Sequence, residues 1–174
     1  MQDKLEGLVQ GIQQWAEDRN IVNGSRTIDQ AMKLFAEFGE LCDHVGDNEI
    51  SKIPDDIGDV FVVLTIMCKQ MDYNILEAFG YEYTTYDTKT AVKYLAERLS
   101  SFVYEASNYI VSDELSDAIG YLAFIASTNG FDFVNCVEEA YNDIKDRKGV
   151  LFNGVFIKES NPAYKEALEK LGKA

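Results

Sequence analysis

Apolar residues recur along this chain at helical rather than strand spacing. Leu5, Leu8, Ile12, Trp15 and Ala16 fall on one face of a helix predicted from about residue 3 to 19. A second helix is predicted from near Thr27 to about Val45, with Ile28, Ala31, Phe35, Phe38, Cys42 and Val45 as its apolar stripe. A third follows Pro54, a residue suited to the first helical position, and runs to about Met71. Its segment 60-VFVVLTIMC-68 is apolar almost all round, so this helix is expected to be buried on most faces despite its β-branched content. Further helices are predicted at about 91 to 111, 113 to 128 and 131 to 148, and residues 81 to 90 read as a connection. The signal changes after Gly149: in 150-VLFNGVF-156 an Asn-Gly pair stands between apolar residues, which predicts a hairpin. A last helix is expected with Asn161 as N-cap, Pro162 as first residue and Gly172 at its end. The pattern predicts an all-α helical bundle with a short C-terminal hairpin and a terminal helix, in a single domain over residues 1 to 174.

A weak internal echo runs through that domain. A shift of 58 residues aligns 55-DDIGDVFVVL-64 with 113-DELSDAIGYL-122, matching Asp55 to Asp113, Asp59 to Asp117 and Leu64 to Leu122. The same shift carries Glu37 and Glu40 onto Leu95 and Arg98, so any repeat, over about 3 to 80 and 91 to 149, is degenerate in its acids.

Composition narrows the function. The net charge of −14 argues against general binding to nucleic-acid phosphates, and a polyphosphate ligand would have to arrive with a cation. Cys42, Cys68 and Cys136 lie in apolar segments without paired spacing and are expected to be reduced core thiols. His44 is the only histidine, which excludes multi-histidine metal sites. No leader-like start and no membrane-length apolar run is evident, and a cytoplasmic protein is expected.

The candidate chemistry lies in acids. On the second helix Lys33, Glu37, Glu40 and His44 are spaced to share the face opposite the apolar stripe. On the third, Asp56 and Asp59 share a face just before the apolar segment. An antiparallel pair of these helices would gather four carboxylates, an oxygen set suited to Mg²⁺. First-turn acids that favour the helix dipole, and solvated glutamates, are the plainer reading of the same spacing. Gly39 and Gly58, one inside each acid pair, point to close approach of another backbone or a ligand.

The order 33-KLFAEFGEL-41, 55-DDIGDVFVVL-64, 139-EAYNDIKDRKG-149 and 153-NGVFIKE-159, with 14-QWAEDRNI-21 before it, resembles the MazG-like all-α nucleoside triphosphate pyrophosphohydrolases, particularly short phage and prophage members. The resemblance implies that Glu37, Glu40, Asp56 and Asp59 hold Mg²⁺, with Mn²⁺ an alternative, for attack of water on the α-phosphorus of a (deoxy)nucleoside triphosphate, giving monophosphate and pyrophosphate in nucleotide-pool control. Ala36 stands where the family often has another Glu, and Asp56 replaces the usual Glu. Asn142, Lys145, Arg147 and Lys148 become candidates for phosphate contacts, although basic residues also complement a helix C-terminus. Lys33 is a further candidate that Glu37, one turn on, can occupy instead, and Trp15 is placed either in the core or against a base. The resemblance also implies a homo-oligomer, most simply a dimer. The alternative class is a non-catalytic acidic helical interaction protein or nucleic-acid mimic, which needs acids spread over a surface rather than converging.

Overall fold

A computed structural model describes residues 2–79, 87–106 and 113–173. Among these residues it is an all-α bundle with one small sheet: α1 (Gln2–Asp18), α2 (Ile21–Gly24), α3 (Thr27–Asp47), α4 (Ile53–Gln70), α5 (Thr88–Ala106), α6 (Asp113–Thr128), α7 (Phe133–Lys145), β1 (Gly149–Phe152), β2 (Val155–Lys158) and α8 (Tyr164–Lys170). The expected connection over 81 to 90 falls largely outside the described residues, as does the end of the helix placed at 91 to 111. No described helix is long and apolar enough to cross a membrane.

The bundle is organised around α4. Every residue from Val60 to Cys68 is buried, and even the Thr65 hydroxyl is satisfied within the helix, donating to the Phe61 carbonyl at 2.9 Å. Such a helix must be covered on all sides, and α7, α3 and α1 supply most of the cover. The closest approach is made by α7. A Cβ on Gly58 would lie 2.4 Å from the Cys136 carbonyl oxygen and 2.6 Å from the Ala140 Cβ, so only glycine lets the two backbones meet here. Phe61 packs edge-on against Phe133 at 5.3 Å, extending that contact. The α5–α6 hairpin covers the remaining side through α3 and α4.

Local signals fix the ends of the elements. The Arg26 N–H donates to Asp29 at 2.9 Å at the start of α3, and Asn48, in the left-handed region at φ 64°, closes its end. Pro54 sits in the first turn of α4, one residue inside its start. The Asn153–Gly154 turn has φ of 51° and 77°, both positive as a two-residue hairpin requires, and it pairs Phe152 with Val155 and Gly149 with Lys158. Two expectations need correction. The terminal helix begins at Tyr164 rather than Pro162, because the Asn161 side chain accepts from the Ala163 N–H and closes a turn first. On α3 the inward stripe is Ala31, Leu34, Leu41 and Val45, while Ile28 and Phe35 face outward. The apolar residues of this helix fall on more than one face, so their spacing alone does not say which part faces α4.

The contrast between glycines gives a stability test. Gly58→Ala forces α7 away from α4 and is expected to cost about 1–3 kcal/mol by overpacking. Gly7→Ala, at a helical position where a Cβ meets nothing within 4 Å, is expected to stabilise by up to about 1 kcal/mol. Urea unfolding of the two variants beside the parent measures both.

Candidate functional site

Five helices and the hairpin enclose a cleft of ≈ 340 Å³. Its polar rim holds Gln30, Lys33 and Glu37 from α3, Asp59 from α4, and Arg147 from the residues after α7. The wall is apolar, formed by Val62, Val63 and Ile66 of α4 with Ile144 and Leu151, and edged by Trp15 and Phe156. Of the acids predicted from the sequence, Glu37 and Asp59 reach this space. Lys33 forms an ion pair with Glu37 across one helical turn.

Asp59 is under strong electrostatic pressure. Burial, then the neighbouring Glu37 and Asp55 carboxylates, push its pKa up to about 7, and Lys33 and Arg147 offset only part of this. The other two acids form a separate group. Asp56 is 5% exposed and accepts a hydrogen bond from His44 Nδ1 at 2.7 Å. That bond raises the histidine pKa above its ordinary value, while burial raises that of Asp56 against the pull of His44. The short distance and the low exposure of Asp56 make the pair a charge-assisted hydrogen bond while His44 is protonated. Glu40 is exposed and acts on Asp56 through its charge. Asp55 repels both Asp56 and Asp59 and so links the two groups.

The basic candidates also divide. Arg147 lines the cleft. Lys148 faces an adjoining hollow that shares Arg147 and Phe156 with the cleft and adds Lys158 and Ser160; it also pairs with Glu159 at 3.7 Å. Asn142 and Lys145 are bonded to each other at 2.7 Å on the exposed face of α7 and line none of these spaces. Trp15 edges the cleft half-buried, with its indole N–H shielded and without an acceptor.

Sequence reasoning missed three residues here. Gln30 continues the polar face of α3 one turn before Lys33, and extending that spacing backward finds it. Arg19 carries no periodic signal. It lies over the Trp15 ring at 5.0 Å and donates to the Arg147 and Lys145 carbonyls at 2.6 and 3.3 Å, tying the end of α1 to the end of α7. Phe156 enters because the hairpin is anchored beside it: the Leu151 N–H donates to the Arg19 carbonyl at 2.8 Å, and Asn20 Nδ2 donates to the Leu151 carbonyl at 2.9 Å.

Among the described residues, no group of three or more His, Cys, Asp or Glu is placed to hold a metal. The donor chemistry at Glu37 and Asp59 nevertheless fits a hard cation. Mg²⁺ is commonly held by one or two carboxylates, with waters and substrate phosphates completing its shell, and a cation there would offset the burial and the Glu37 and Asp55 carboxylates that raise the pKa of Asp59.

Comparison with known proteins gives a partial likeness to a phage protein and no chemistry. No family model and no solved structure matches the chain. A segment of 66 residues is 52% identical to an uncharacterized 18.2 kDa protein in the rep-hol intergenic region of Haemophilus phage HP1, strain HP1c1. The match spans 38% of this chain and 40% of that protein.

The charge on Asp59 has a consequence for pH. Its folded pKa lies above the ordinary 3.8, so the folded state holds a proton that the unfolded state releases, and stability falls as pH rises from about 4 to about 7. In metal-free buffer, Asp59→Asn is expected to raise the melting temperature at pH 8 and to change it little near pH 4. An equal shift at both pH values would mean that the carboxylate is not under this pressure.

Proposed function

We propose that this protein is a Mg²⁺-dependent nucleoside triphosphate pyrophosphohydrolase of the MazG-like kind, converting (deoxy)nucleoside triphosphates to monophosphate and pyrophosphate in control of a nucleotide pool. The cleft carries this reading: two carboxylates from different helices, two cations and an aromatic-edged apolar wall share one space. A nucleotide has parts to match each. The wall beside Trp15 takes the planar base. Arg147 takes phosphate oxygens through its planar fork and Lys33 through its point charge. Glu37 and Asp59 would hold Mg²⁺, or Mn²⁺, which has the same preference for oxygen. When bound, such a cation polarises a phosphoryl group and lowers the pKa of a water.

The chain's own residues do the positioning on which phosphoryl chemistry largely depends. Arg19 fixes the backbone of Arg147 by its hydrogen bond to that residue's carbonyl. His44 holds Asp56, one turn before Asp59 on α4, and neither Asp56 nor Glu40 lines the cleft. Asn142 and Lys145 have no assigned contact in this arrangement.

Millimolar Mg²⁺ is expected to raise the melting temperature of the parent, and to do so much less in Glu37→Gln. A panel of NTPs and dNTPs with Mg²⁺ should yield monophosphate and pyrophosphate together by ion-exchange chromatography. Arg147→Ala should raise KM and lower kcat/KM by an amount equivalent to about 1.5–3 kcal/mol for a lost charge-assisted contact, whereas Lys145→Ala should stay near the parent. Diphosphate with free phosphate would place attack at the γ-phosphorus and overturn the mechanism. No Mg²⁺ stabilisation and no turnover against the whole panel would favour the acidic interaction protein.

A further inference from the structure

Gln30 is the neutral polar side chain of the cleft, and its amide is held in one orientation. The Ser25 hydroxyl donates to the Ile21 carbonyl at 2.7 Å. A carbonyl only accepts, so the single hydroxyl proton is committed and the Ser25 oxygen can offer its neighbours lone pairs alone. Gln30 Nε2 and Gln70 Nε2 donate to that oxygen at 2.9 and 3.1 Å. Gln70 Nε2 also donates to the Ser25 carbonyl at 3.0 Å, so neither amide can turn its own oxygen toward Ser25 without setting lone pair against lone pair. Gln30 is 8% exposed, yet it lines the cleft. Its Oε1 and second N–H have no partner among the described residues, and they remain for whatever the cleft holds. The other polar groups there are accounted for: Lys33, Glu37, Asp59 and Arg147 are charged, and the Trp15 N–H is shielded. Gln30 and Glu37 lie about 10 Å apart by helical rise along α3, so the cleft has a neutral end and a charged end.

We propose that Gln30 reads the edge of a nucleobase and that the cleft prefers an imide-bearing pyrimidine, thymine or uracil. The proposal rests on the cleft being a nucleotide site, with phosphates toward Lys33 and Arg147 and the base toward Gln30. A locked amide offers one acceptor beside one donor in a fixed order. Thymine and uracil present a carbonyl beside a ring N–H where cytosine presents an amino group beside a bare ring nitrogen. An amide free to turn serves both; a locked one separates them. What stays unmet decides which is preferred. Val62, Val63, Ile66, Ile144 and Leu151 offer a base no hydrogen-bonding side chain. After pairing with the amide, thymine or uracil has one carbonyl left over. Cytosine has a carbonyl and an amino hydrogen, and the purines have amino hydrogens and further ring nitrogens. Each group left dry and unpaired lowers affinity about fivefold or more. The methyl group of thymine gains a further apolar contact with the wall.

Titration calorimetry of the full chain in Mg²⁺ buffer with dTMP, dUMP, dCMP, dAMP and dGMP tests this. The thymine and uracil nucleotides should bind about fivefold or more tightly than dCMP, and dGMP should bind weakest. Gln30→Leu keeps the bulk of the side chain and should bring the five affinities to within about threefold of one another. Ser25→Ala leaves Gln30 in place but frees its amide to turn, and should raise the affinity for dCMP relative to dTMP; a general loosening of the fold would weaken all five alike. The proposal is overturned if dCMP, dAMP or dGMP matches dTMP in the parent, if none of the five binds at millimolar concentration, or if either folded variant keeps the parent's differences. If circular dichroism finds Gln30→Leu unfolded, Ser25→Ala and the parent's ranking decide. Calorimetry reads binding without turnover, so the expected ranking in a chain that hydrolyses no triphosphate would end the pyrophosphohydrolase reading and leave this one standing.

Discussion

Covering α4 on every side is the constraint on which the remaining architecture depends. A helix apolar around its whole circumference gains stability only when neighbours remove all of it from water, and α1, α3 and α7 converge on it for that reason. Its N-terminal turns are the place where acids appear on a helix that is otherwise apolar. There the helix dipole favours Asp55 and Asp56, while the approaching neighbours make charge harder to solvate. The cleft forms at this boundary. Its wall is the continuation of the buried face through Val62, Val63 and Ile66, and its rim is the last place where charged groups still reach water.

Gly58 connects this packing to the site. By admitting the Cys136 carbonyl it brings α7 against α4, and the end of α7 then delivers Ile144 and Arg147 to the cleft. Arg19 completes the connection from the opposite side, because its guanidinium is held by the carbonyls of Trp15, Lys145 and Arg147. Three segments distant in sequence thus meet through backbone contacts rather than through the charged side chains alone. That division lets the charged groups remain incompletely paired without loss of the framework.

Much of the fold was legible because its strongest signals are local. The all-round apolar run of α4, the Asn-Gly turn and the periodic stripe of α1 each specify their element without knowledge of the rest. What escaped is what depends on partners. Ile28 and Phe35 fit the periodic stripe of α3 as well as Leu34 and Leu41 do, and only the position of α4 decides which set is buried. Gly39 and Gly58 are equivalent as sequence signals, yet one meets a neighbouring backbone and the other open space. The site was legible in the same partial way. Spacing placed Glu37 and Asp59 on faces that meet, but it could not reveal that His44 engages Asp56, or that Lys145 turns to Asn142 while Arg147 turns to the cleft.

The weak echo between α4 and α6 makes the physical distinction sharper. Under the 58-residue shift, Glu114 and Asp117 correspond to Asp56 and Asp59, and Arg98 to Glu40. In the α5–α6 hairpin, Arg98 pairs with Glu114 at 2.7 Å and with Asp117 at 3.6 Å. Its acids are therefore answered by a guanidinium from the adjoining helix. In the α3–α4 hairpin the corresponding position is itself acidic, and the balance at Asp59 is left to Lys33 and Arg147, which do not hold its pKa down. A structural acid pair is stabilised by meeting its counter-charge within the fold, and Arg98 supplies that. Holding Asp59 buried beside the Glu37 and Asp55 carboxylates costs stability as its proton is lost toward neutral pH. The two halves therefore differ in counter-charge: Arg98 pairs with both acids of the echo, whereas burial and the Glu37 and Asp55 carboxylates outweigh Lys33 and Arg147 at Asp59.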